Sequence, residues 1–569
     1  MAAPATVRRM STSTPALTAA TLLLGATLAG CGDDGAATPD AAPGPRDWPA
    51  MTVPTSTVPE PGIRREVVLV DGADAPANPV SGVDTPGELD RTQLLRFRRD
   101  LSPPAPARAV VVMMPGFLGG GGSYEPLARH LVRRAAAAGE TIEVWAIDRR
   151  GNLLEDRLGV DTAEAAGDPE IADAWYFGQD TIGGQRYLGP RPHAELGFMS
   201  EWGLATHAED TRAIIAQIAA ADRKGHVVLV GHSMGASFAE AYAAWRFSDG
   251  TRGSDELAGV VLIDGALADA PLTEAEWHAG ASAGLGRLAG VDELRGDGDK
   301  YFELPLLGNT VYPRVDVLSQ RALRAPDAVV VDRGRDEVLG NLLLLPRAEI
   351  PAMSNAAALG WAMDDDSNAL TFAAVSAGEA VGGAVESYDN PLAMAALSRP
   401  SDPSATYTWV DAAAADPSNV TPLANLAHTF VDGPTDFAEW YFPIRLPLDL
   451  AAVGGARVAP DGWQAAAGLR AFDGALADAP VLAVSTQLVS PADFEQVRAR
   501  WSAPVGPGRP GAGATRDQVA AFEVVVAADQ THIDPLTAAD RADNPVPAAV
   551  LAFVLRNVTA GTVAVPPAL

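Results

Sequence analysis

Between His226 and Arg246 the chain passes from a short apolar run, Val227-Val-Leu-Val230, through Gly231-His232-Ser233-Met234-Gly235 and into an alanine-rich segment. The β-branched run favours a buried strand and the alanines favour a helix. A Gly-x-Ser-x-Gly turn joining the two needs small residues at both ends, because the serine backbone is held in a strained conformation where strand and helix come close. The serine hydroxyl is then exposed. The helix that follows aims its first free amide, that of Met234, at any anion forming beside the hydroxyl. Further runs suited to strands lie at Arg65–Val70, Thr92–Arg98, Ala109–Met114, Thr141–Asp148, Gly259–Ile263, Val481–Thr486 and Phe522–Val526, several of them followed by segments with helical spacing. An α/β chain with a mostly parallel sheet is expected.

The strand, turn and helix around Ser233 resemble the α/β-hydrolase family, with Ser233 at the position of its nucleophile. The resemblance implies an α/β-hydrolase fold: an eight-stranded, mostly parallel sheet with helices on both faces. The sheet pattern stops after Ile263 and resumes at Val481, so residues 265–479 read as a large lid or cap inserted after the sixth strand. Core segments at 63–264 and 480–569 then flank it. The octapeptide Asp-Gly-Ala-Leu-Ala-Asp-Ala-Pro occurs at both borders, Asp264–Pro271 and Asp473–Pro480.

Nucleophilic attack by Ser233 needs a base within hydrogen-bond reach and a carboxylate to orient that base. The family's chain order, serine, acid, histidine, leaves His532 as the base, since of eight histidines it alone follows the last strand. The acid is open. The place after the seventh strand, where most members carry it, reads Gln487-Leu488-Val489. Asp264, at the end of the sixth strand, resembles the acid of thioesterase-like and pancreatic-lipase-like members. Asp493 is the alternative, although Ser490-Pro491-Ala492-Asp493 reads as a helix start with Ser490 as N-cap; Glu495 stands behind both. Pro115-Gly116-Phe117-Leu118 followed by Gly119–Gly122 resembles the family's turn that carries the second oxyanion donor. By that likeness the amides of Phe117 and Met234 form the oxyanion hole, with Leu118 as a substitute for Phe117, and the glycines leave room near a ligand.

The single cysteine, Cys31, excludes an internal disulfide. Arg8-Arg9, an uncharged stretch from Ser11 to Gly30, and Leu28-Ala29-Gly30-Cys31 resemble a bacterial lipoprotein signal with its lipobox. That implies a signal peptide over 1–30, lipid attachment at Cys31 and an extracytoplasmic protein held at a membrane of the cell envelope. Gly32 in place of Asp favours the outer membrane where a host has one. Residues 31–62, rich in proline and alanine, read as a disordered tether.

A net charge of −30 argues against nucleic acid, whose phosphates call for clustered Lys and Arg. Asp364-Asp365-Asp366-Ser367-Asn368 lacks the glycine and distal glutamate of a calcium loop and reads as a solvated acidic turn, so no metal is expected. The predicted activity is a cofactor-free serine hydrolase acting on small-molecule or lipid esters. Thioesterase, amidase or acyltransferase chemistry could use the same nucleophile. A surface binding lipoprotein on a disabled hydrolase scaffold is the reading from another class.

Overall fold

The structure is a computed structural model that describes residues 56–565 apart from 284–285, 305–307, 330–342, 344, 346–348, 391–392, 394–395, 413–417, 433–434, 473–478 and 502–521. Cys31, the predicted signal peptide, most of the tether and most of the second octapeptide lie outside the described residues. No helix among the described residues is long and apolar enough to cross a membrane.

Nine strands form the main sheet: β1 (Ser56–Glu60), β2 (Ile63–Asp71), β3 (Arg91–Arg99), β4 (Ala109–Met114), β5 (Ile142–Asp148), β6 (Val227–His232), β7 (Gly259–Ile263), β8 (Val481–Ser485) and β9 (Phe522–Val526). Their order is β1-β2-β3-β5-β4-β6-β7-β8-β9. From β5 to β9 in that order every pairing is parallel, and β1 to β3 are added antiparallel at one edge. The expectation was eight strands. The ninth, β1, lies within the stretch read as tether, and Pro59 hides it from a sequence pattern: proline is tolerated only where one side of a strand needs no partner, as at this edge.

Alternate side chains of the central strands enter two apolar clusters, one on each face. Val110, Val112 and Met114 join one, with Leu229 and Leu262; Val111 and Met113 join the other, with Val228, Val230 and Ile263. Helix Met234–Ala244 belongs to the first face, and helices Glu125–Ala137 and Pro545–Asn557 to the second. A strand covered on both sides has no polar face, which is why these runs are apolar without interruption.

Between β7 and β8 the chain builds the predicted insertion. Its described elements include helices Val311–Arg324, Asn355–Met363, Leu423–Val431 and Arg445–Ala452 and a three-stranded sheet of Ala352–Met353, Thr406–Asp411 and Gly378–Val381. The long segment between β5 and β6 forms helices Leu158–Ala166 and Glu170–Phe177, which brace Val311–Arg324; Arg321 Nε donates to Glu170 Oε1 over 2.8 Å.

Candidate active site

At the carboxyl end of β6 the backbone turns sharply, with Ser233 at φ 57°, ψ −125°, a left-handed conformation that serine adopts only under constraint. The constraint is steric. A Cβ on Gly231 would lie 2.0 Å from the Gly235 carbonyl oxygen, and one on Gly235 would lie 2.1 Å from the Met114 carbonyl oxygen. Glycine at both ends therefore lets strand, turn and helix close on one another, as the sequence pattern predicted. Ser233 itself remains partly exposed.

His532 sits after β9, its ring buried, and its Nδ1 lies 2.7 Å from the Asp264 carboxylate. Asp264 caps β7 with φ 44° and is fully buried. Burial alone would raise its pKa; the bond and the charge of His532, with bonds from Thr486 and Val489, hold it below the ordinary carboxylate value. Three backbone amides, Thr486 (3.1 Å), Leu488 (3.1 Å) and Val489 (2.9 Å), donate to its oxygens. The loop after β8 thus supplies no acid and instead holds one that comes from the neighbouring strand. Asp493, the alternative acid, is not joined to His532. It closes a capping box, accepting from the Ser490 amide (3.0 Å) while Ser490 Oγ accepts from its own amide (3.2 Å). Glu495 is exposed and faces Arg498 at 3.4 Å.

His232, beside Ser233 in the turn, faces the loop that carries His532. Its Nε2 meets the His532 carbonyl oxygen at 2.8 Å, and the two rings stand 4.5 Å apart. Burial, and then the adjacent His532, push its pKa down to about 3, so the ring props the base loop as a neutral donor.

The turn after β4 reaches Ser233 directly: a Cβ on Gly116 would lie 2.9 Å from Ser233 Cβ. Among the described residues the Phe117 amide has no hydrogen-bond partner, and Met234, first in its helix, has no preceding turn to donate to. Both predicted oxyanion donors therefore keep a free amide beside Ser233. The turn is gripped from below by Arg149, which donates to the carbonyl oxygens of Pro115, Gly116 (2.9 Å) and Gly119 (3.0 Å) and pairs with Glu439 of the insertion at 2.6 Å. Both members of that pair are buried, and burial raises the Glu439 pKa to about 7 against the opposing pull of Arg149. Asp148 is likewise structural, receiving the Gly121 amide at 2.9 Å.

The glycine run does not open space for a ligand. Cβ atoms on Gly120 and Gly122 would collide with the Asp436 backbone at 2.5 and 2.6 Å, so the glycines admit a strand-like segment of the insertion. Along it, the Gly120 amide donates to the Phe437 carbonyl (2.7 Å) and the Glu439 amide to that of Leu118 (2.9 Å). Neither contact was anticipated. A carboxylate set directly against Trp440-Tyr441-Phe442 is the available signal for Glu439.

Ser233 and His532 line one cavity. Its other walls are mainly apolar: Leu304, Val311, Val315, Phe430 and Phe437 from the insertion, and Leu536 from the base loop. Within the insertion, Leu304, Phe437 and Ala438 face the cavity, while Trp440, Phe442 and Leu446 are packed into the core. In the acidic turn Asp364 is buried and accepts the Ala377 (2.9 Å) and Gly378 (3.2 Å) amides. That turn is partly internal, not wholly solvated, and no metal-binding cluster occurs among the described residues.

Residues 109–291 match the family described as alpha/beta hydrolase fold. No curated protein matches the chain. Among solved structures, a candidate lipase from Sulfolobus solfataricus is 13% identical, with 90% of this chain and 99% of that chain covered at a TM-score of 0.44. An esterase from Thermogutta terrifontis is 12% identical, with 87% and 99% covered at a TM-score of 0.33. A bacterial heroin esterase is 10% identical, with 88% and 86% covered at 0.32. Sheet order, the turn at Ser233 and the family match over 109–291 together identify this chain as one with the α/β-hydrolase fold.

Proposed function

We propose that the protein is a serine hydrolase of carboxylic esters. The observation that carries the proposal is the bond from His532 Nδ1 to Asp264, made at the cavity that Ser233 also lines. In this reading His532 accepts the Ser233 proton as Ser233 Oγ attacks the ester carbonyl, and the Phe117 and Met234 amides take the oxyanion. Collapse of the tetrahedral intermediate breaks the ester C–O bond while His532 returns the proton to the departing alcohol. Water, deprotonated by the same imidazole, then releases the acid. Asp264 keeps the imidazole in the tautomer that accepts at Nε2. The bond between His532 and Asp264 favours this reading over that of a binding protein on a disabled scaffold, because it supplies the carboxylate a working base needs. Carboxylic esters, not amides, are the substrates we favour because the walls are apolar and offer few groups to hold an amide nitrogen.

From the lipobox-like Leu28–Cys31 we further propose that the enzyme works outside the cytoplasm, tethered by lipid on Cys31. The decisive experiment is labelling with a fluorophosphonate. We expect the wild-type protein to be labelled and Ser233→Ala and His532→Ala to stay unlabelled, with ester turnover falling on the order of 10⁴-fold in each. A Ser233→Ala protein that hydrolyses esters at the wild-type rate refutes the proposal.

A further inference from the structure

The insertion over the cavity is tied to both halves of the machinery beneath it. On the oxyanion side its segment Asp436–Glu439 pairs with Leu118–Gly120, and Arg149 binds that turn and Glu439 at once. On the base side Asp534, two residues beyond His532, accepts from the Ser376 amide (3.0 Å) and from Thr421 Oγ1 (2.7 Å), both in the insertion. Thr531 Oγ1 donates to the Ala374 carbonyl at 3.0 Å, and the Ala539 amide to that of Val420 at 2.9 Å. Most of the side chains making these bonds are buried, so lifting the insertion would strip polar groups of partners inside the protein and disassemble the oxyanion turn and the base loop together.

The surface agrees with a cover that stays shut. Lipases that work at a lipid–water boundary need a broad exposed apolar face around the mouth. Among the described residues, the exposed large apolar side chains, such as Val80, Leu188 and Val385, are scattered, and none lines the cavity. Half-buried Phe117 is instead covered by Phe302 and Phe442 of the insertion, with ring centres 5.0 and 4.8 Å away.

We infer that the insertion is a fixed roof, and that the substrates are esters of apolar acids taken up one dissolved molecule at a time, not from aggregated lipid. This rests on the serine-hydrolase reading. The test follows initial rates on 4-nitrophenyl butyrate, which stays dissolved, and on tributyrin taken through its solubility limit, with fluorophosphonate labelling run in parallel on the same protein. The expected result is labelling of Ser233, saturation with dissolved ester, and no step in the tributyrin rate as droplets appear. Labelling with a severalfold jump at the solubility limit overturns the fixed roof and leaves the hydrolase standing. No labelling and no turnover on either ester removes the hydrolase reading, and this inference with it.

Discussion

Two regions bring groups to Ser233, and they do so by different physics. Along β6 the residues Val227 to Val230 are all apolar and buried, and their burial on both faces sets the height and direction of the strand without one directional bond between side chains. Where the insertion meets the turn after β4, the contacts are buried charges and backbone pairs: Arg149 with Glu439 at 2.6 Å, Arg157 with Asp436 at 2.5 Å, and Gly120 with Phe437 at 2.7 Å. Apolar burial is non-directional and places a rigid element; it cannot choose among nearby conformations of a glycine-rich loop. Aimed hydrogen bonds can. The difference teaches that the sheet positions Ser233 and Asp264, whereas the insertion selects the shape of the turn after β4.

The contrast can be broken at three depths. The largest effect is expected at the carboxyl end of β7, where Asp264→Asn should lower ester turnover on the order of 10⁴-fold with the fold intact, because the amide leaves His532 in the wrong tautomer. Turnover within tenfold of wild type, measured on a protein with an unchanged circular dichroism spectrum, would move the acid elsewhere. An intermediate effect belongs to the insertion contact. Glu439→Ala leaves Arg149 charged and unpaired in the interior, a loss of about 3–5 kcal/mol of stability. Denaturant unfolding measures it, and a change under about 1 kcal/mol would mean that the pair does not hold the insertion down. The smallest effect is expected at Asp493→Ala, which removes a helix capping box worth about 1 kcal/mol and should leave turnover where it was. Should it match the loss in Asp264→Asn, the roles given to the two aspartates are reversed.

What could be read from residues alone divides along the same line. Ser233 and the strands beside it are legible because uninterrupted apolar runs and a glycine-bounded turn leave local marks in the chain, and His532 because it alone of the histidines follows the last strand. Asp264 was visible only as one of several carboxylates: what distinguishes it is reception of three amides from residues 486–489, more than two hundred positions away, and no local pattern records that. The glycines at 120 and 122 read as room for a ligand and instead admit the insertion. A glycine announces that something comes close, not what, and here the neighbour is the backbone of Asp436. His232 leaves no local mark for a related reason, since its partner is a main-chain carbonyl of another loop. Edge strand β1 escaped because its proline opposes the pattern that strand reading relies on.

The long reach of these contacts bears on the order in which the protein matures. Asp264 and His532 stand 268 positions apart, and Arg149 and Glu439 stand 290 apart. A chain emerging from the ribosome from its N-terminus carries its hydroxyl long before its imidazole exists, and the turn that would steady the charge waits on a segment still unsynthesised. Hydrolytic competence would then arrive only with the final strand, so fragments released early would be inert toward the esters of the cell that made them.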